Sequence, residues 1–298
     1  MKPFKVKVPA TVSNIGSGYD VLGFPVNLFL TVEVEPGEGK YSMEGMCAGI
    51  AREHNVLAAA FGAEMDRYEE NFPAVDITAK SEIPLKIGLG SSAAARVAGI
   101  AAAAVAAGKK LDSAYIARRA AGFEGHPDNA VPAAVGGLTV SNFTDGKELY
   151  FNRHEIKTDL KVVLGIPDIE VDTNQSRAAL PKKIDFADAV YSNVRSCMLL
   201  SALINGRKDL IRSSVDDRLH QPYRKKVIPG YDILVEKTYE SGALGTGISG
   251  SGPAIFSFAQ EKDAPNVGRS MEEVWKSKGV PAKYLIKSIV DTGLKIYE

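Results

Sequence analysis

Hydrophobic and polar positions along the chain predict short β-strands interspersed with helices. Apolar–polar alternation or a short apolar run predicts strands at residues 4–8, 28–34, 75–79, 138–143, 161–166, 253–258 and 282–289. Helical spacing predicts helices at residues 54–65, 93–107, 113–123, 185–205, 208–214, 233–241 and 264–279. Pro9 is expected to end the first strand, and residues 220–224 are expected to form an irregular loop. Because the second half has no repeating parallel unit, the pattern indicates an α+β fold.

A change to polar and charged composition at residues 152–159 predicts a boundary between two domains, residues 1–153 and 154–298. The chain has 36 Lys and Arg against 36 Asp and Glu, so no net charge favours a nucleic acid or membrane partner. Its two cysteines, Cys47 and Cys197, are too few for a disulfide framework or a four-cysteine zinc site. The first residues contain no apolar signal segment, so we expect a cytoplasmic protein.

A glycine- and serine-rich loop opens the alanine-rich helix predicted at residues 93–107. Gly88 and Gly90 allow close approach of the main chain, and Ser91 or Ser92 can cap the helix. Free N–H groups at a helix start, with the positive end of the helix dipole, favour an anion. The loop therefore predicts a phosphate site, although no Gly-Lys-Ser/Thr of a Walker loop closes it. A simple tight turn before a packed helix is the alternative.

Four polar side chains lie within six residues where the predicted helix 113–123 ends: Glu124, His126, Asp128 and Asn129. A carboxylate at this point can hold a divalent metal, and an Asp–Asn pair can orient or deprotonate a hydroxyl group. The alternative is an ordinary turn with a surface histidine and a capping aspartate. The density of the four groups favours the chemical interpretation.

Further polar groups stand at the edges of predicted elements. Asn14 and Asp20 lie in the loop after the first strand, where a cleft could form, or where they merely bond their own backbone. Thr173 and Arg177 are four residues apart, so a helix would present both on one side. Arg224 is either an anion ligand or an ordinary surface arginine. The glycine run at residues 242–252 indicates a backbone that passes close to a ligand or to the first lobe.

Three stretches resemble the motifs of the GHMP small-molecule kinases. They are residues 9–20 (PATVSNIGSGYD), 84–94 (PLKIGLGSSAA) and 245–253 (GTGISGSGP). Their order and separations fit that superfamily over nearly the whole chain. Within it, residues 124–129 (EGHPDN), 173–181 (TNQSRAALP) and 221–230 (QPYRKKVIPG) are most similar to the homoserine kinase family. Residues 128–132 read DNAVP where that family more often has DNVAP, a swap that keeps size and polar groups.

The resemblance implies a two-lobe GHMP kinase fold with the site in the cleft between the lobes. The N-terminal ATP-binding lobe, residues 1–153, would be like ribosomal protein S5 domain 2, and the C-terminal lobe, residues 154–298, ferredoxin-like. By the same analogy the ATP phosphates contact Pro84, Leu85, Lys86, Ile87, Gly88, Leu89, Gly90, Ser91, Ser92, Ala93 and Ala94. Mg²⁺ would be bound by Ser92 and Glu124. The amino-acid substrate would contact Asn14, Asp20, His126, Asn129, Thr173, Arg177 and Arg224.

The implied reaction is ATP-dependent phosphorylation of the side-chain hydroxyl of L-homoserine to O-phospho-L-homoserine, in threonine biosynthesis. The residue types suit this substrate. Arg177 and Arg224 can bind its carboxylate through forked hydrogen bonds, and Asp20 can bind its ammonium group. The expected catalytic groups are Glu124, Asp128, Asn129 and Arg177. Either Asp128 removes the hydroxyl proton or the phosphate itself accepts it, and the second is preferred. The expected partners are small molecules, and a homodimer is left open.

Three different functions compete with this prediction. Gly88, Gly90 and Ala93 also fit the fingerprint of a nicotinamide-dependent dehydrogenase, with Asp112 at about the right distance. At least three strands precede this loop, however, whereas the fingerprint normally follows the first strand of a parallel unit. The second competing function is that of a sensor without catalytic activity. The intact acidic and basic groups argue against it. The third is a kinase for another small alcohol, whereas the two arginines with Asp20 favour an amino acid.

Overall fold

The computed structural model describes residues 1–68, 74–156, 159–169, 171 and 173–297, and the side chains of residues 173–175 lie outside that description. The first sheet comprises β1 (Phe4–Ser13), β2 (Leu22–Pro36), β3 (Tyr41–Gly45), β4 (Val75–Ser81), β5 (Leu138–Thr144), β6 (Glu148–His154) and β11 (Lys295–Tyr297). The second comprises β7 (Lys161–Pro167), β8 (Ala243–Ile248), β9 (Ile255–Ala259) and β10 (Ala282–Ser288). Helices and strands are mixed in both halves, in agreement with an α+β fold.

Ten α-helices lie among the described residues. They are α1 (Val56–Arg67), α2 (Ser91–Ala106), α3 (Ser113–Glu124), α4 (Ala130–Val135), α5 (Thr173–Ala178), α6 (Phe186–Asn205), α7 (Lys208–Ser214), α8 (Gln221–Arg224), α9 (Tyr231–Glu240) and α10 (Ala264–Ser277). None of these helices is long and apolar enough to cross a membrane. Asp112 caps α3 as predicted, since its carboxylate accepts hydrogen bonds from the N–H groups of Ala114 and Tyr115.

The first sheet has the order β11-β1-β2-β4-β3, with β5 paired to β2 and β6 paired to β5. All its described pairings are antiparallel except β3 with β4. The second sheet is antiparallel, in the order β10-β7-β9-β8. The chain passes from one sheet to the other between β6 and β7, near the predicted boundary. The last strand, β11, returns to pair with β1, so the C-terminal residues belong to the first sheet.

Pro9 does not end the first strand, contrary to the prediction. β1 continues to Ser13, and its register against β2 shifts between Pro9 and Ala10. Proline has no N–H for the ladder and is tolerated at such an irregularity. The continuation matters for the site, because it places Thr11, Ser13 and then Asn14 at the end of a buried strand.

The sequence pattern also missed several short elements. β3, β6, β11 and α4 were not predicted, and the supposed irregular loop at residues 220–224 is the helix α8. Much of the glycine run forms β8, which the pattern also missed. These elements are short or have side chains that are partly exposed, so their periodicity is weak. The strands among them form because a neighbouring strand satisfies their backbone groups.

Helix α2 is the centre of the first lobe. Its alanines are buried on most sides, and Gly99 meets α1 so closely that a Cβ would lie 2.5 Å from the carbonyl oxygen of Leu57. The same core extends into the second lobe, where the ring of Phe24 on β2 packs 5.7 Å from that of Phe258 on β9. Small side chains along α2 therefore allow α1 and the sheet to approach it, and the loop before α2 is held against the lobe interface.

We predict that Gly99→Ala lowers the free energy of unfolding by about 1–3 kcal/mol, because the added methyl group overlaps the α1 backbone. The matched control is Gly62→Ala on α1, where a Cβ would meet nothing within 4 Å. Alanine there should raise the free energy of unfolding by up to about 1 kcal/mol through helix propensity. Urea denaturation followed by circular dichroism measures both. Equal effects of the two substitutions would contradict the close α1–α2 contact.

Candidate active site

The loop before α2 and the helix start have the geometry of an anion site. Gly90 is the residue before α2 and has a left-handed conformation, with φ of 67°. No side chain caps the helix, so the prediction that Ser91 or Ser92 caps it is wrong. Both serines instead form the first turn, whose N–H groups have no partner within the helix. The side chains of Ile87, Leu89 and Ala94 are buried, so a ligand would contact these three residues only through the main chain.

Neighbouring chain segments leave no room for a side chain at Gly88 or Gly90. A Cβ on Gly88 would lie 2.1 Å from the carbonyl oxygen of Ser249, and one on Gly90 would lie 2.0 Å from Thr11 Oγ1. The Ser249 hydroxyl also donates to the Gly88 carbonyl at 2.6 Å, and the N–H of Ala254 donates to Ile87 at 3.0 Å. The glycine-rich turn of the second lobe thus packs directly on the loop of the first lobe, which is one of the two outcomes that the sequence left open.

Ser92 and Glu124 are brought together, as the metal prediction requires. The Ser92 hydroxyl donates to Glu124 Oε1 at 2.7 Å, and Arg96 Nε contacts the same carboxylate oxygen. Arg96 lies one helical turn after Ser92 and is the single charged residue of α2. No sequence motif assigned a role to Arg96. In the structure it fixes the orientation of Glu124 at the start of the helix.

His126, which is partly buried, forms a network with the buried residues Asp128 and Asn129. His126 Nδ1 lies 2.6 Å from Asp128 Oδ1, and Asp128 Oδ2 has no hydrogen-bond partner among the described residues. Asn129 is fixed at both ends, since its amide donates to Ser13 Oγ at 2.9 Å and its carbonyl oxygen accepts from Thr11 at 2.8 Å. Neither Thr11 nor Ser13 was predicted as a site residue, although both stand within the 9–20 motif.

The ion pair of His126 and Asp128 shifts both groups toward their charged forms. Burial alone would raise the pKa of Asp128, but the hydrogen bond and positive charge of His126 outweigh it and hold that pKa below its usual value. Burial alone would lower the pKa of His126, but Asp128 outweighs it and raises that pKa. A carboxylate with a lowered pKa is a weak base, which bears on its catalytic role.

Asp20 and Arg177 form an ion pair, although they are 157 residues apart in the sequence. The Arg177 guanidinium donates to the two carboxylate oxygens of Asp20 at 2.8 and 2.9 Å. Asn14, with φ of 58°, accepts from the Asp20 N–H at 2.7 Å and donates to the Gly250 carbonyl at 2.9 Å. Asn14 therefore holds the Asp20 loop against the second lobe. The Thr173 side chain lies outside the described residues.

Arg224 is buried, which contradicts its interpretation as an ordinary surface arginine. Its Nη1 donates to the Gly250 carbonyl at 2.9 Å and lies 3.4 Å from His220 Nδ1. His220 Nε2 lies 2.7 Å from the Gly16 carbonyl and 3.0 Å from the Asn14 carbonyl, so this nitrogen carries the proton. Burial lowers the pKa of His220 and that of Arg224. In the sequence, His220 belonged only to the loop expected at residues 220–224, and no role was predicted for it.

A cavity of about 170 Å³ lies where these groups converge. It is lined by Asn14, Lys86, Gly88, Gly90, Ser91, Ser92, Ala93, Glu124, His126, Asn129, Arg177, Arg224, Gly250 and Ser251. The structure thus unites most of the predicted nucleotide, metal and substrate residues at one place. A second, mainly apolar cavity of about 240 Å³ adjoins it through Lys86, Ser91 and Ser92, and its wall includes Asn55 and Leu57 of the α1 region. Apart from the residues of the 84–94 loop that border it, no motif pointed to this second cavity.

The comparisons with known proteins agree with this architecture. Residues 54–137 match the family described as GHMP kinases N terminal domain, and residues 199–277 match GHMP kinases C terminal. The chain is 34% identical to a homoserine kinase of Persephonella marina over 99% of both chains. It is 36% identical to a homoserine kinase of Aquifex aeolicus, covering 98% of this chain and 99% of that one.

Solved structures show the same fold. A homoserine kinase from Cytophaga hutchinsonii superimposes with a TM-score of 0.88 at 27% identity, covering 99% of this chain and 98% of that chain. A mevalonate kinase structure has a TM-score of 0.72 at 16% identity, which supports the fold alone. The predicted two-lobe GHMP kinase fold is confirmed, and the mostly antiparallel first sheet does not fit a dehydrogenase. With matches in both halves and relatives above 30% identity along almost its full length, the chain belongs to the homoserine kinase family of the GHMP kinases.

Proposed function

We propose that this protein transfers the γ-phosphoryl group of ATP to the side-chain hydroxyl of L-homoserine and forms O-phospho-L-homoserine, a step of threonine biosynthesis. The observation that carries the proposal is the set of charges around the 170 Å³ cavity. Arg177 and Arg224 of the second lobe line this cavity together with the first turn of α2, and Asp20 of the first lobe is paired with Arg177. A zwitterionic alcohol complements the side-chain charges, and a phosphate complements the helix start.

The nucleotide would lie across the two adjoining cavities. Its phosphates would contact the main-chain N–H groups at the start of α2, where the dipole favours negative charge. Its base would occupy the apolar cavity of about 240 Å³, which borders the phosphate loop at Ser91 and Ser92. That cavity is lined mainly by apolar side chains with few polar groups, as is typical of a site for a planar aromatic ring.

Ser92 and Glu124 fit a magnesium ion. They offer a hydroxyl and a carboxylate oxygen that lie 2.7 Å apart beside the phosphate loop, and oxygen ligands are those that Mg²⁺ prefers. When bound, the ion would neutralise charge on the phosphate oxygens. Arg96 contacts the Glu124 carboxylate and holds it in place at the helix start.

The amino-acid substrate would replace the internal ion pair of Asp20 with Arg177. Its ammonium group would take the place of the guanidinium at Asp20, and its carboxylate would take the place of the Asp20 carboxylate at Arg177. Arg224 would add a second cation, since the guanidinium groups of both arginines lie within 5.6 Å of the ring of Tyr19. A substrate with only one of the two charges would leave one member of the pair without a partner.

The hydroxyl of homoserine would lie near Asn129, whose amide is held rigidly by Thr11 and Ser13. We propose that the phosphate accepts the hydroxyl proton directly. The lowered pKa of Asp128 makes this carboxylate a weak base, and its ion pair with His126 engages one of its oxygens. Phosphoryl transfer requires mainly positioning and charge neutralisation, which these fixed groups can supply.

We place the activity in the cytoplasm, with small molecules rather than nucleic acid or membrane as its partners. Both cysteines are free thiols, and Cys197 is exposed, which suits a reducing compartment. The equal numbers of acidic and basic residues supply no general attraction to polyanions.

The substrate assignment is tested by ADP release with ATP, Mg²⁺ and homoserine, serine, threonine, mevalonate or galactose. Homoserine should give the highest kcat/KM. Arg177→Gln should raise the KM for homoserine at least about tenfold, because a forked charge-assisted bond is lost, and should leave the KM for ATP unchanged. Arg118→Gln, an exposed arginine on α3, is the matched control. Turnover of mevalonate or galactose alone would reject an amino-acid substrate.

The proton-transfer route is tested with Asp128→Asn. We expect kcat to fall by less than about 100-fold, whereas Glu124→Gln should cost more, because a general base contributes about 10²–10⁴-fold. The pKa of His126, followed by NMR, should fall in Asp128→Asn because burial then acts without the neighbouring carboxylate. That shift shows that the ion pair was broken. Equal losses in the two variants would instead make Asp128 the base.

His220 is expected to position Arg224 and the loop of residues 14–20. His220→Phe should raise the KM for homoserine about tenfold or more, with little change in the KM for ATP, because the Gly16 and Asn14 carbonyls lose their donor. His220→Gln keeps a donor near the position of Nε2 and should restore part of the loss. If both variants changed the two KM values equally, His220 would have only a general structural role.

A further inference from the structure

Tyr19 stands in the 9–20 motif, and the sequence predicted no role for it. Its side chain is partly buried, and three residues of the second lobe lie against its ring. The Cζ atoms of Arg224 and Arg177 lie 5.1 and 5.6 Å from the ring centre. The ring of His220, which contacts Arg224, lies 5.6 Å away between centres. One aromatic ring of the first lobe therefore lies beside both arginines of the cavity.

The backbone of Tyr19 is held in a tight turn. The Gly18 carbonyl accepts a hydrogen bond from the Leu22 N–H at 2.9 Å, which closes the turn around Tyr19. The side chain of Asn14 accepts from the N–H of Asp20 at 2.7 Å. Because the backbone is fixed on both sides, the direction in which the Tyr19 side chain leaves it is fixed as well.

Arg224 is a buried cation with no carboxylate partner among the described residues. It is only 2% exposed, its described hydrogen bonds are with the Gly250 carbonyl and His220, and its Nε has no partner. Burial lowers the pKa of Arg224, and the positive charge of Arg177 also lowers it. A buried cation near a second cation costs free energy unless another group compensates. The face of an aromatic ring compensates in this way, and its attraction is stronger for a desolvated cation.

Tyr19 acts on these cations as a neutral ring. Burial raises the pKa of the Tyr19 hydroxyl, and Asp20 raises it further, so the hydroxyl keeps its proton at neutral pH although two arginines are near. None of the hydrogen bonds among the described residues involves this hydroxyl. The attraction therefore comes from the ring face and not from a phenolate charge.

We propose that Tyr19 is a positioning residue for the carboxylate of the amino-acid substrate, because its ring holds the guanidinium groups of Arg177 and Arg224 in place. Tyr19 does not line the cavity, whereas both arginines do, so it acts through them. This inference rests on the proposed function. It adds that the two long side chains are ordered before the substrate arrives, so binding costs less conformational entropy.

Steady-state kinetics of ADP release tests this role with Tyr19→Leu, which removes the ring. The KM for homoserine should rise about tenfold with the KM for ATP unchanged, since only the two cations lose their support. Tyr19→Phe keeps the ring and should restore most of the loss. Tyr191→Leu is the matched control, because Arg195 and Arg218 lie 3.3 and 3.8 Å from that ring centre, outside the cavity. It should leave both KM values near those of the native chain. Equal losses in Tyr19→Leu and Tyr19→Phe would overturn the role of the ring.

A double-mutant cycle separates positioning from a general structural role. In an Arg177→Gln background, Tyr19→Leu should lower kcat/KM for homoserine about threefold or less, because one of the two guanidinium groups is already gone. A full tenfold loss in that background would show that Tyr19 acts independently of Arg177 and would overturn the proposal. Tyr19→Met, which also lacks a ring, serves for both measurements if Tyr19→Leu does not fold.

The native chain itself distinguishes the two proposals. A native chain that releases no ADP with homoserine would reject the proposed function and this inference together. An active native chain that Tyr19→Leu does not impair would reject the role of Tyr19 alone.

Discussion

The site depends on one contact between main chains, the packing of the loop before α2 against the glycine-rich turn that follows β8. The two segments come from different lobes and lie so close that Gly88 cannot accept a side chain. Hydrogen bonds from Ser249 and Ala254 fix the loop without using the N–H groups at the start of α2. Those groups therefore remain directed at the cavity, where the partial positive charge of the helix end favours an anion.

The same turn of the second lobe also organises the proposed amino-acid side of the cavity. The Gly250 carbonyl accepts from Asn14 of the first lobe and from Arg224 of the second. His220 closes this network by contacting Arg224 and the backbone of the 14–20 loop. Because these polar groups are buried, each missing partner would cost free energy, and the network holds the lobes in one arrangement.

Four charged groups at the cavity or beside it are paired with one another. Asp20 with Arg177 and His126 with Asp128 form two ion pairs, and the second is the more buried. The exposed pair exchanges easily with solvent or with a zwitterion, since surface ion pairs contribute little to stability. The buried pair is costly to break, because one charge would remain without a partner in a site of low dielectric. The Asp20–Arg177 pair therefore suits a site where a ligand binds, whereas the His126–Asp128 pair suits a rigid part of the site.

The sequence alone was enough to predict the kinase family of this protein and most of its longer elements. The glycine loop, the alanine-rich helix and the EGHPDN cluster are each formed by residues that are close together in the sequence. They can therefore be recognised without knowledge of how the lobes pack. Tertiary structure decided the rest: the continuation of β1 past Pro9, the return of β11, the burial of Arg224 and the roles of Arg96 and His220. These depend on partners as many as about 290 residues away, which pair with them only after the two lobes pack together, so no periodicity could reveal them.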